Sequence, residues 1–115
     1  MSEKLYDNWA TQLRRGLLEL CILNALRGSR LYGYDIVKRL RAIEGLMISE
    51  GTIYPILSRF RREGLVETSI EESPEGPARK YYRLTDRGEA FLSQINRYWQ
   101  IIKSSVDAVQ GEPRS

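Results

Sequence analysis

Apolar residues near the start of the chain recur at helical spacing: Trp9, Leu13, Leu17, Leu20 and Leu23 follow one another at steps of three and four, flanked by Leu18, Cys21, Ile22 and Leu26. This pattern predicts a helix from about Asn8 to Leu26, buried over a wide face and stopped by Gly28. The stretch LYGYDIVKRLRAIEG sets Ile36, Val37, Leu40 and Ile43 on one side, which predicts a short second helix ending at Gly45. Within SEGTIYPILSRFRREGL, Ile53, Ile56, Leu57 and Phe60 fall in one arc and predict a third helix. Ser49 or Thr52 is its candidate N-cap, and Gly64 its stop.

The period then changes from helical to two. Val66, Thr68 and Ile70 alternate with Glu67, Ser69 and Glu71, the mark of a half-buried strand. SPEGP is a turn cluster. Beyond it, Tyr82 and Leu84 share one face while Arg79, Tyr81 and Arg83 share the other, so the two strands are expected to pair as a hairpin with about five loop residues. Thr85 caps a last long helix from Asp86 to about Val109, with Asp86 and Glu89 in the first turn, where the helix dipole favours acids. Residues 111–115 are expected to be a disordered tail. The fold class is therefore mainly α with a small β-hairpin.

Helix three carries two poor helix formers on its polar side. Opposite the apolar arc lie Gly51, Pro55, Ser58 and Arg62, flanked by Tyr54 and Arg59. A merely solvated face would use Lys, Glu and Ala, since Gly costs about 1 kcal/mol and Pro about 3 kcal/mol in a helix interior. If Thr52 is the cap, Pro55 lies in the first turn, where its missing N–H has no intrahelical partner to lose. A stripe of compact residues edged by tyrosine and arginines also lets a helix backbone approach a surface closely, and the DNA major groove, about 12 Å wide, is such a surface. The plainer reading is that Gly51 and Pro55 only shape the start of the helix and that Arg59, Arg61 and Arg62 are ordinary surface charge. The hairpin favours the first reading. It brings Arg79, Lys80 and Arg83 beside the helix, and a three-helix unit followed by a basic hairpin is the winged helix-turn-helix arrangement.

Composition agrees and excludes much else. A chain of 115 residues suits one domain, and a formal charge of +3 with a pI near 9.2 makes it mildly basic. The absence of histidine removes Ser-His and Cys-His catalysis and most zinc and copper sites, so no metal or cofactor is expected. Glu71 and Glu72 beside the turn resemble exposed loop charges, not a catalytic pair, and an enzyme is not expected. A lone Cys21 in LLELCILNAL reads as a core thiol. No apolar run reaches the roughly 18 residues of a membrane span, and the start lacks a signal peptide, so a cytoplasmic location and no membrane partner are expected.

Three segments, LYGYDIVKRL, SEGTIYPILSRFRREGLVE and RKYYRLTDRGEAFL, closely resemble the PadR-like bacterial transcriptional regulators in order and spacing, over about Leu13 to Val109. The single short C-terminal helix resembles the compact branch of that family, whose members are homodimeric repressors, some of which bind flat hydrophobic or phenolic compounds. The resemblance implies a winged helix-turn-helix over residues 1–85 and a dimerisation helix over 86–110. It implies that Ser49, Thr52, Tyr54, Ser58 and Arg59 lie at or near double-stranded DNA, with Arg79 and Lys80 in the wing and Tyr34 reaching a phosphate.

Helix four supports self-association. Gly88, Leu92, Ile95, Trp99, Ile102, Val106 and Val109 recur at steps of four and three, widened by Phe91, Tyr98 and Ile101. That face either packs on helix one of its own chain or meets a second copy, and its length beyond the hairpin argues for the second copy. Trp9, Leu92, Ile95, Trp99, Ile102 and Val106 are the expected interface, with Leu5 and Trp9 covering the partner's helix four. Near a two-fold axis Trp99, beside Ile95, either is packed as an anchor or forms a slot for a planar aromatic effector. The reading is a homodimeric DNA-binding regulator, a repressor on a palindromic operator. The alternative is a winged-helix module that binds a protein, and steep log-linear weakening of binding with salt separates the two.

Overall fold

The computed structural model describes residues 2–111. The chain runs α1 (Ser2–Ala25), β1 (Leu31–Tyr32), α2 (Gly33–Arg41), α3 (Glu50–Arg62), β2 (Val66–Ser73), β3 (Gly76–Leu84) and α4 (Asp86–Gly111). The expected order of helices and hairpin is present, and one strand is added. β1 pairs antiparallel with β3 through Leu31 with Tyr82 and Tyr32 with Tyr81, giving a sheet of order β1-β3-β2. Two residues are too few to show a period, so β1 has no signature in the sequence.

Several boundaries move. α1 begins at Ser2, before the first periodic residue, and so carries Leu5, Tyr6 and Trp9 out into solvent. α2 ends at Arg41 with Ala42 as its cap, which leaves Ile43, expected on its buried side, 43% exposed. The chain then turns through Gly45 and Met47, both at positive φ. The hairpin turn is tighter than five residues, because Ser73 pairs with Gly76 and only Pro74 and Glu75 lie between them. A bulge follows: between the pairs Glu71–Arg79 and Ser73–Gly76, β3 supplies Pro77 and Ala78 against Glu72 alone. A proline that cannot donate to a ladder is accommodated at such a site. Gly111, placed in the tail by the sequence pattern, is the last residue of α4; the rest of that expected tail lies outside the described residues.

One core joins all the helices. Leu18, Ile22, Leu23 and Leu26 of α1 meet Ile36, Val37 and Leu40 of α2 and Ile53, Leu57 and Phe60 of α3, closed by Leu31, Leu65, Val66, Tyr82 and Leu92. Each such side chain contributes about 1.5–3 kcal/mol of burial. Tyr82 and Val66 face inward as the strand alternation requires. Ile70, further out on the same face, is 69% exposed because the hairpin projects past the body as a wing.

The start of α4 is fastened to the turn after α3. Thr85 caps the helix: its hydroxyl donates to the Gly64 carbonyl at 2.6 Å and accepts the Gly88 N–H at 2.9 Å, while its own N–H donates to the Leu65 carbonyl at 3.1 Å. Gly88 is required here, since a Cβ at that position would lie 1.9 Å from the Leu65 oxygen. Farther along, Asn96 and Asn24 exchange two side-chain hydrogen bonds of 2.9 Å between α4 and α1. Beyond the core both long helices continue outward, so the molecule measures 65 × 34 × 23 Å with a radius of gyration of 17.0 Å. A compact chain of this length would have about 13 Å.

Candidate nucleic-acid interface

Helix α3 is capped by Ser49, in extended conformation, whose hydroxyl lies 3.0 Å from that of Thr52. Thr52 is therefore the third helical residue, not the cap. This moves Pro55 to the sixth helical position, inside the helix. The proline nitrogen stands where an N–H would have met the Gly51 carbonyl, so that carbonyl loses its i+4 donor. The idea that Pro55 costs no helical hydrogen bond is thus corrected, and the two awkward residues form a linked pair on the exposed side.

Ile53, Leu57 and Phe60 are buried, and Ile56 is half-buried. Gly51, Thr52, Tyr54, Pro55, Ser58, Arg61 and Arg62 face outward. Among the described residues nothing explains Gly51: a Cβ there would meet only the Ser49 hydroxyl, at 3.8 Å. The open stripe is free for close approach by another molecule. Tyr54 bounds it on one flank, 37% exposed, with its ring over Gly33, where a Cβ would come within 3.0 Å of it. Burial pushes the Tyr54 phenol above its ordinary value, with Glu50 adding to the effect. Tyr34, in the first turn of α2, is 43% exposed, and the Lys38 ammonium sits 5.8 Å from its ring centre.

Arg59 is placed differently from the other expected contacts. It is half-buried and turned toward α1, where it pairs with Glu19 at 2.9 Å, while also reaching Glu63 at 3.2 Å. Hydrogen bonding to Glu19, foremost, raises its pKa.

In the wing, Arg79 and Lys80 are neighbours in one strand and so stand on opposite faces. The Arg79 guanidinium lies over Tyr32 at 5.1 Å, Tyr32 meets Tyr81 at 6.0 Å between centroids, and Arg30 lies over Tyr81 at 4.4 Å. Arg30 also takes the carboxylate of Glu71 at 2.6 Å, although Glu71 is opposite Arg79 in register. Arg83 is paired with Glu67. Arg79 and Lys80 thus have no carboxylate partner among the described residues. Sequence reasoning passed over Arg30 and Tyr32, whose stacking depends on the β1–β3 pairing.

The long helices hold the other expected residues. The first turns of the α4 seam are occupied within the chain: Leu92 is 2% exposed in the core and Gly88 is against Leu65, so Leu92 is removed from the expected subunit interface. Ile95 is half-buried against that core. Trp99 and Ile102 are half-buried along a cleft of about 370 Å³ between α1 and α4, with Leu13, Gly16, Leu17 and Tyr98 on its walls. Trp9 remains 62% and Val106 49% exposed. Among the described residues no cluster of metal-ligating side chains occurs, and no helix is long and apolar enough to cross a membrane.

Comparison with known proteins agrees with this fold. The sequence profile of the transcriptional regulator PadR-like family matches residues 22–94. A transcriptional regulator of Mycobacterium tuberculosis is 31% identical over 86 residues, covering 75% of this chain and 78% of its own. The crystal structure of a PadR-like transcriptional regulator from Bacillus cereus matches with a TM-score of 0.80 at 34% identity, over 89% of this chain and 99% of that one. A PadR family transcriptional regulator from Eggerthella lenta matches with a TM-score of 0.81 at 29% identity, over 97% of both chains.

Proposed function

Because this chain belongs to the PadR-like family of transcriptional regulators, and is therefore a DNA-binding regulator, we propose that it acts as a homodimeric repressor on a palindromic operator. One observation carries the reading: both long helices leave the core with apolar faces uncovered. Leu5, Trp9 and Leu13 on α1 are 73%, 62% and 48% exposed, and Tyr98, Ile101 and Val109 on α4 are 64%, 56% and 74% exposed. Contiguous apolar surface of this kind marks an interface, and a second copy offers the complementary surface by symmetry. The interface then centres on Trp9, Trp99, Ile102 and Val106, with Ile95 at its margin.

A two-fold axis presents two α3 helices to successive major grooves, with half-sites about 34 Å apart. In each half, Ser49, Thr52, Tyr54 and Ser58 border the groove, Tyr34 reaches a phosphate, and Arg79 and Lys80 hold the flanking backbone. Occupying a promoter in this way excludes polymerase. The cleft beside Trp99 and Ile95 is of a size that takes a small planar aromatic compound, and such a compound would relieve repression by altering how α1 and α4 pack.

Selection of bound sequences from a random duplex pool tests the operator. An enriched palindrome with a half-site spacing near one helical turn is expected, and enrichment of no sequence would refute the reading. For the effector, a planar aromatic dye should quench tryptophan fluorescence saturably, and Trp99→Ala should abolish that quenching at protein concentrations where sedimentation shows the variant to be dimeric. Quenching that survives the substitution would place the dye elsewhere, because Trp9 also emits.

A further inference from the structure

Arg59 lies at the edge of the DNA-facing side of α3, yet its guanidinium is committed within the chain. One nitrogen lies 2.9 Å from a Glu19 oxygen on α1, another 3.2 Å from Glu63 one turn along, and its central carbon is 5.1 Å from the Phe60 ring centre. A cleft opens on each side of this bridge. The one toward α4, about 450 Å³, is lined by Phe60, Leu65 and Phe91; the one toward the start of α3, about 480 Å³, is lined by Leu18, Met47 and Ile56. Apolar packing between α1 and α3 is thus interrupted at the place where the ion pair spans them. By contrast Arg62, on the outer face of the same helix, has no carboxylate in pairing range among the described residues. For Arg59 to reach a base it would have to release both carboxylates.

We infer that Arg59 is a positioning residue: a strut from α1 to α3 that sets the tilt of the DNA-facing helix, and through it the separation of the two such helices in the dimer. This rests on the homodimeric operator-binding reading above. A guanidinium held between two carboxylates, one on α1 and one at the C-cap of α3, restrains a helix more closely than a solvated charge does. Because α1 also carries the uncovered apolar stripe, the strut joins the element that meets the partner subunit to the element that meets the groove.

The test uses the full-length protein and the duplex it selects from a random pool. Affinity and its salt dependence are measured for the unsubstituted protein, Arg59→Met, Glu19→Gln, Arg59→Glu and the reversed pair Arg59→Glu with Glu19→Arg. Arg59→Met and Glu19→Gln should each weaken binding by about tenfold, a change of about 1.4 kcal/mol. The weakening should be alike for duplexes altered at single base pairs, with the slope of log affinity against log salt unchanged. The reversed pair should regain most of what Arg59→Glu loses. A base-reading or phosphate-binding Arg59 predicts otherwise: Glu19→Gln would leave affinity intact, Arg59→Met would relax preference at one base pair or lower the salt slope by about one per contact, and charge reversal would recover nothing. Any of these three results overturns the strut. Sedimentation and thermal melting of each variant show that it is a folded dimer, and failure of the unsubstituted protein to select a duplex or to dimerise would count against the operator reading instead.

Discussion

Replacing Gly88 by alanine should destabilise the protein, although the same change in an open helix is favourable. The new Cβ would stand 1.9 Å from the Leu65 carbonyl oxygen, 2.9 Å from its carbon and 3.3 Å from its Cα. These are backbone atoms and cannot rotate aside. An ordinary C···O approach is about 3.3 Å, so α4 must retreat by about 1.4 Å. That displacement opens the hydrogen bonds of Thr85 to Gly64 and Leu65, at 2.6 and 3.1 Å, and lifts Leu92 from the core. Overpacking of this kind costs about 1–3 kcal/mol, and each weakened hydrogen bond about 1 kcal/mol more. Against this, alanine gains about 1 kcal/mol of helix propensity. The net loss is about 2–4 kcal/mol, which at roughly 5 °C per kcal/mol lowers Tm by about 10–20 °C. Thermal unfolding followed by circular dichroism measures it, at fixed protein concentration because the proposed dimer would make Tm concentration-dependent. An unchanged or raised Tm would refute the close approach of α4 to the α3–β2 turn.

Other substitutions test the remaining parts. Val106→Glu places a carboxylate on a side chain that is 49% exposed in the single chain, so the fold should survive while the dimer loses several kcal/mol; an unaltered dimer on sedimentation would put the interface elsewhere. Lys80→Ala should weaken binding to all duplexes alike and reduce the salt slope by about one per wing, and a change of sequence preference would refute a backbone contact. Stability should be flat around neutral pH, because the chain has no histidine. Above pH 10.0, the ordinary phenol value, it should fall: burial raises the Tyr82 phenol, so the unfolded chain ionises first and the folded state is disfavoured as pH rises through the raised value. Tyr82→Phe should lessen that alkaline loss in denaturant titrations, and an equally steep loss would show that Tyr82 does not cause it.

The parts of the fold legible in the sequence are those written as a period. The faces of α1, α2 and α3 and the inward side of the wing come from spacing alone, because Ile53, Leu57 and Phe60, or Val66 and Tyr82, need no knowledge of what covers them. The features that escaped depend on neighbours distant in sequence. β1 exists only because β3 lies beside it, and the stack of Arg79, Tyr32, Tyr81 and Arg30 exists only because β1 does. Of the two candidate caps of α3, Ser49 and Thr52, the helix takes Ser49, which changes Pro55 from a free choice into an interior break. A helical wheel puts Arg59 at the edge of the outward face, but only Glu19 on α1 decides that it turns inward.

The α4 seam shows the same limit most clearly, and also how it could have been passed. A step of four and three records that a face is covered without saying by which chain, so Leu92 and Val106 look equivalent although one is buried at home and the other is not. Gly88 breaks the equivalence. A coiled-coil seam wants a bulky knob at each such position, and a residue with no side chain has nothing to insert into a partner helix. It serves where another backbone must come close, and in the fold that backbone is Leu65, in the turn after α3. The seam therefore divides near Ile95: its start joins α4 to the turn after α3, and Trp99 and the part beyond it are available to the proposed second subunit.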